Sequence, residues 1–209
     1  MKNLLIIGAR GFGREVFVLA TECAGYGKDF KVKGFLDDKK DALDSYKDYP
    51  PIISSVETYE IQPDDVFICA LGDVKWKKHY SEIILSKGGE FISLVHPLAH
   101  ISRNVVIGKG CIMCRETSVS CDSRIGDFVT ILPFSGLGHD GVIKNWTHID
   151  SSVSCAGFVH IEEMVAIHTN ATIIPKRVIG RGAIVGAGSV VIRNVSEETT
   201  VFGVPAIKL

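Results

Sequence analysis

The pattern of apolar and polar positions changes character near residue 96. Before it, short apolar runs alternate with polar segments of helical spacing. Lys2–Ile7 reads as a buried strand that enters a glycine-rich run, Gly8-Ala9-Arg10-Gly11-Phe12-Gly13. Arg14–Ala24 then carries apolar residues at helical intervals: Val16, Leu19, Ala20 and Cys23. Lys31–Leu36 is a second predicted strand and ends in Asp37-Asp38. Asp41–Pro51 is polar, stops at a Pro-Pro pair and reads as a loop. Val66–Leu71 is a third strand, Asp73–Lys87 a helix and Glu90–Val95 a fourth strand. Strand, glycine-rich turn, helix and strand predict a Rossmann-like βαβ domain over residues 1–95.

After His96-Pro97 the period becomes six. Every sixth residue from Ile101 to Val191 is apolar, sixteen in a row, and ten of them are Ile. The residue two places earlier is Ala, Val, Cys, Thr, Ser or Gly in fifteen cases; Arg177 is the exception. A helix needs a period near 3.6, and ordinary strands need alternation broken by irregular loops. A period of six with one large and one small inward residue predicts short straight segments joined by turns. Three segments would close a coil of 18 residues, so sixteen hexads make about five coils stacked at roughly 4.8 Å. The second domain is therefore a parallel β-helix over residues 96–209.

Composition narrows the function classes. Lys+Arg is 23 against 24 Asp+Glu, a net charge of -1, which leaves no electrostatic footprint for nucleic acid. Leu4–Ile7 is too short for a signal-peptide core of roughly 7–15 residues or a membrane span of about 20. A cytoplasmic protein with no membrane partner is expected, in which six scattered cysteines have no disulfide framework to form. Cys111 and Cys114 lack a second pair and read as packing residues, so no metal is expected.

Three places could carry chemistry. The glycine-rich turn lets backbone approach a phosphate at a helix N-terminus. Asp37-Asp38 closes the second strand, where such folds read a ribose or base edge. The spacing G-x-x-G-x-G departs from the dinucleotide fingerprint, so a plain tight turn is the alternative. His139-Asp140 falls at a coil edge pointing outward, where the acid could bond one ring nitrogen and leave the other as a base; an exposed turn histidine is the alternative. Gly157 lies 18 residues on, one coil above His139, as a tight corner or as an open N–H for a developing oxyanion. His148 is nine residues from His139, one and a half faces around. It could join the same site only from a neighbouring subunit.

Both halves together resemble the NeuD/PglD-like sugar O-/N-acyltransferases, hexapeptide-repeat enzymes with a left-handed parallel β-helix. The resemblance spans nearly the whole chain. It rests on Gly8–Val16, Phe35–Asp38, Ala70–Gly72, His96-Pro97, Gly138–Asp140, Cys155–Gly157, Val185–Ser189 and Gly203–Ala206. It implies a nucleotide-activated sugar on the first domain, acetyl-CoA on the β-helix, and a homotrimer with active sites at subunit interfaces. By the resemblance, Arg10, Gly11, Phe12, Asp37, Asp38 and Gly72 fall on the sugar-nucleotide site. His139 falls on the catalytic base and Asp140 on its supporting acid. His148 and Gly157 fall on contacts to the thioester end of acetyl-CoA, and Thr169 and Ala187 on its pantetheine and adenine groove. Arg10 and Phe12 stand where a small residue and His are commoner, and Asp73 where Asn is frequent.

The expected activity is acetyl-CoA-dependent N-acetylation of a nucleotide-linked 4-amino-deoxysugar in bacterial surface-glycan biosynthesis. The alternatives are O-acetylation of sialic acid or another sugar, and a non-catalytic sugar-nucleotide-binding scaffold. An NAD-dependent oxidoreductase is disfavoured by the broken fingerprint and the absence of a substrate domain.

Overall fold

The structure, a computed structural model, describes residues 1–209 and falls into two units, Met1–Pro97 and Leu98–Leu209. The first is built on a parallel sheet. Its elements are β1 (Lys2–Ile7), α1 (Gly11–Glu22), β2 (Phe30–Leu36), β3 (Ile52–Ser54), β4 (Asp65–Cys69), α2 (Val74–Ser86) and β5 (Glu90–Phe91). The strand order is β3-β2-β1-β4-β5, and every neighbouring pair is parallel. Leu4–Ile7, Phe35, Leu36 and Val66–Cys69 are buried, as expected for central parallel strands covered on both faces.

Several boundaries differ from the sequence reading. Helix α1 begins at Gly11, three residues early, because Arg14 N–H already donates to the Arg10 carbonyl. The glycines allow that start. Gly8 turns the chain with φ +94°, and a Cβ on Gly13 would collide with the Gly8 carbonyl. The helix ends at Glu22 because Cys23 is extended. Ile52–Ser54, placed in no predicted element, adds a strand outside β2. The predicted strand Glu90–Val95 is two short ones, Glu90–Phe91 and Leu94–Val95. Asp73 is the N-cap of α2 and not its first residue; its side chain accepts from the N–H groups of Lys75 and Trp76 at 2.9 and 3.0 Å.

The second unit is a β-solenoid. Two-residue strands pair in parallel with the strand 18 residues further on: Ser118 with Gly136, Gly136 with Ser154, Thr130 with His148. Three flat faces result. One stacks the strands at 100, 118, 136, 154, 172 and 190; the next stacks those at 106, 124, 142, 160 and 178; the third runs from Ile112 to Ile207–Lys208. The hexad residues fill the interior: Val119, Ile131, Ile143, Ile149, Ile161, Ile167, Ile173 and Val185 are all buried. Only the first coil is open, with Ile101, Val105 and Ile107 half-buried.

The corners repeat as strictly as the core. Residues 122, 128, 134, 140, 146, 152, 158, 164, 170 and 176 all have positive φ, although they include Phe, Trp and Lys. That conformation costs a bulky residue about 1–2 kcal/mol. It is offset where the same residue donates its N–H one coil down: Asp140 to the Cys121 carbonyl, Trp146 to Asp127, Phe158 to His139 and Lys176 to Gly157. At one corner Phe128 and Trp146 stack with centroids 4.0 Å apart. The period breaks at the end, where Val201 pairs with Val185 and Thr200–Phe202 pairs antiparallel with Ile207–Lys208.

Candidate active site

In the solenoid, His139 and Asp140 form one corner between the first and second faces. The ring is half-exposed, and its Nδ1 lies 2.8 Å from Asp140 Oδ2. A carboxylate only accepts, so in the neutral ring Nδ1 carries the proton and Nε2 presents its lone pair. The Phe158 ring meets the imidazole edge-on at 5.1 Å. Gly157 sits one coil above, and a Cβ built there would lie 2.7 Å from His139 Nε2. Cys121 sits one coil below and is exposed. The main chain of the corner is fixed by Phe158 N–H donating to the His139 carbonyl and Asp140 N–H donating to the Cys121 carbonyl. The result is an oriented imidazole with a bare backbone position beside the nitrogen that Asp140 does not hold.

The other three residues expected at acetyl-CoA lie elsewhere on the same unit. His148 is on the third face, buried, with Nε2 3.2 Å from Asp150 Oδ1. The other oxygen of Asp150 bonds His168 Nδ1 at 3.0 Å. The bond from His148, and then that from His168, outweighs burial and holds the Asp150 carboxyl below the usual carboxylate range. Thr169 and Ala187 are exposed one coil apart at the next corner. One solenoid thus brings His139, Asp140 and Gly157 together and leaves His148 on the third face, with Thr169 and Ala187 at the corner that follows it. The sequence reading missed Asp150 as the shared partner of His148 and His168; the 18-residue offset between Asp150 and His168 was the available signal.

In the first unit, a cavity of about 280 Å³ opens at the carboxyl ends of β1, β2 and β4, the expected ligand position of an open parallel sheet. Arg10, Phe12, Asp37, Asp38 and Gly72, five of the six residues expected at the sugar-nucleotide site, line it. Gly11 lies on a neighbouring cavity instead. The two aspartates differ. Both oxygens of Asp37 accept from backbone, Oδ2 from Ala9 N–H at 2.8 Å and Oδ1 from Lys39 N–H at 2.9 Å. Asp37 therefore braces the glycine-rich turn. Asp38 Oδ2 accepts from the Tyr80 hydroxyl at 3.0 Å. Burial, and then the bond to Asp38, pushes the Tyr80 phenol up to about 12, so it remains a donor at neutral pH. Tyr80 also lines the cavity and was not singled out from the sequence, because only the packing of α2 turns it there.

Comparison with known proteins agrees with both units. Residues 3–84 match the family model of the PglD N-terminal domain. The chain is 31% identical over 190 residues to a GDP-perosamine N-acetyltransferase of Escherichia coli O157:H7, covering 88% of this chain and 82% of that one. The acetyltransferase domain of PglB from Neisseria gonorrhoeae FA1090, solved in complex with acetyl coenzyme A, superposes with TM-score 0.89 at 26% identity, over 100% of this chain and 99% of that one. WeeI from Acinetobacter baumannii AYE superposes with TM-score 0.88 at 26% identity, over the whole of both chains. A sugar-acetyltransferase relative that matches along nearly the whole chain and a solenoid carrying a His–Asp corner define the class. The chain belongs to the PglD-like family of sugar N-acetyltransferases.

Proposed function

We propose that the chain transfers the acetyl group of acetyl-CoA to the amine of a nucleotide-linked 4-amino-deoxysugar. The observation that carries this reading is the His139 corner: Nδ1 held by Asp140, and Nε2 facing the bare Gly157. The first unit, in this reading a Rossmann-like domain, holds the nucleotide in the cavity with Asp37, Asp38 and Tyr80. The solenoid, left-handed in this reading, holds acetyl-CoA along Thr169 and Ala187. The E. coli relative is named for GDP-perosamine, which makes that sugar the first acceptor to test.

The steps balance without a covalent acyl-enzyme. The amine attacks the thioester carbonyl and forms the C–N bond. His139 Nε2 takes the N–H proton, and Asp140 stabilises the imidazolium. The Gly157 N–H, which has no acceptor within the chain, donates to the developing oxyanion. The C–S bond then breaks, and the thiolate leaves with the proton carried by His139.

His148 on the third face, and Thr169 and Ala187 at the corner after it, lie away from His139 of the same chain, which supports a homotrimer with each site shared by two subunits. The direct test is thiol release from acetyl-CoA with GDP-, UDP- and dTDP-linked 4-amino-deoxysugars and with free sialic acid. Release with an amino-sugar, lost in His139→Ala, is expected. Release with sialic acid alone would move the activity to O-acetylation. Acceptor binding with no release on any sugar would leave a binding scaffold.

A further inference from the structure

The cavity on Gly11 lies beside the carboxylate-lined one and differs from it in charge. Its volume is about 270 Å³, and Arg10, Gly11, Arg14, Lys39, Ala42 and Tyr46 line it. Arg10 borders both cavities. Asp37 and Asp38 border the first, whereas no carboxylate borders the second. The Arg14 guanidinium stands over the Tyr46 ring, 3.4 Å from its centroid, and its buried Nε has no hydrogen-bond partner. Neither arginine forms an ion pair, and Lys39 meets only the exposed Asp41 at 3.9 Å. Three cations and the first turn of α1 therefore converge on one cavity, and the two arginines have no carboxylate partner in the chain.

Charge divides a ligand between the cavities. The carboxylates of the first accept from a base or ribose and repel phosphate. Phosphate belongs with the arginines, whose planar forks match its oxygens. We infer that the Arg10–Arg14–Lys39 cavity takes the diphosphate of the nucleotide whose nucleoside fills the first cavity. The Tyr46 stack presents Arg14 to it, and the Gly11 turn is the wall that the ligand crosses. This inference rests on the nucleotide-sugar reading of the first unit and adds the residues that select a diphosphate over a bare nucleoside.

Calorimetric titration of the full chain with guanosine, GDP, uridine and UDP tests it, in wild type, Arg14→Gln and Lys39→Gln. The wild type should bind one diphosphate far more tightly than its nucleoside. Each variant should weaken that diphosphate by about tenfold, the scale of one charge-assisted contact, and leave the nucleoside within about twofold. Lys39 is exposed, so its variant keeps the test valid if Arg14→Gln fails to fold. Diphosphate affinity unchanged in both variants, or lost in parallel with the nucleoside, would overturn the inference alone. No binding of either diphosphate to the wild type would overturn the acceptor reading, and this inference with it.

Discussion

At the scale of single residues, the proposed chemistry falls on His139, which has little structural duty. Its ring is 55% exposed, and its only polar partner is the adjacent Asp140. His139→Ala should lower kcat by roughly 10²–10⁴-fold, the contribution of a positioned general base, with an unchanged melting temperature. Steady-state kinetics beside calorimetry checks both. Gly157→Ala acts on Nε2, the nitrogen that Asp140 does not hold. Its methyl would stand inside contact distance of Nε2 and must displace the ring. The expected result is a fall in kcat with the acceptor's KM unchanged, measured by thiol release. Both residues were legible in the sequence, because hexads convert residue number into position and an offset of 18 means directly above. Tyr80 was not legible. No motif distinguishes it from the other aromatics of α2, and its bond to Asp38 bridges 42 residues of chain.

Elements obey local rules more closely in one half than in the other. Every solenoid strand but Thr200–Phe202 is two residues long, and none has stability of its own; the register comes from the coils above and below. The buried hexad positions therefore carry the unit. Ile143 is fully packed, and Ile143→Ala should cost about 2–5 kcal/mol, as other large-to-small core changes do. Chemical denaturation would measure it. Helix α2 depends instead on its cap. Asp73→Ala removes two hydrogen bonds to Lys75 and Trp76 and should cost about 1 kcal/mol. The sequence reading put Asp73 inside the helix because the apolar period does not mark where φ and ψ become helical. The strand Ile52–Ser54 was hidden for a similar reason. Three residues after a Pro-Pro pair show no alternation, and only pairing with Phe35 and Leu36 makes them a strand.

For the whole molecule, titration and assembly give the sharpest expectations. Asp65 is buried. Burial raises its carboxyl, but the bonds from Tyr59 and Lys33 outweigh it and hold the group below the usual range. A carboxyl whose folded value is depressed stabilises the fold at pH above the ordinary carboxylate range. That contribution is lost as pH falls through that range to the folded value. Melting temperature should therefore fall on acidification more steeply for wild type than for Asp65→Asn, which should be less stable at neutral pH. Assembly is tested by mixing. If sites are shared between subunits, His139→Ala and His148→Ala chains are each inactive alone. Refolded together they should regain part of the activity, because some interfaces then join an intact His139 to an intact His148. Recovery absent in a mixture that sediments at three times 22.7 kDa would place each site within one chain.

The sequence by itself determined the solenoid, its coil length and the stacking of His139 beneath Gly157. A strict six-residue period admits one kind of backbone path and makes position a matter of counting. It also determined that a glycine-rich turn and two aspartates meet at the end of a parallel sheet. Only the tertiary structure decided how those groups divide the work. Asp37 is consumed by backbone N–H groups, Asp38 is held by Tyr80, and the cations of Arg10, Arg14 and Lys39 gather on the far side of the turn. Those contacts join residues from separate elements, and no local period encodes them. They follow from how α1, α2 and the loop after β2 pack on the sheet, which is settled by the chain as a whole.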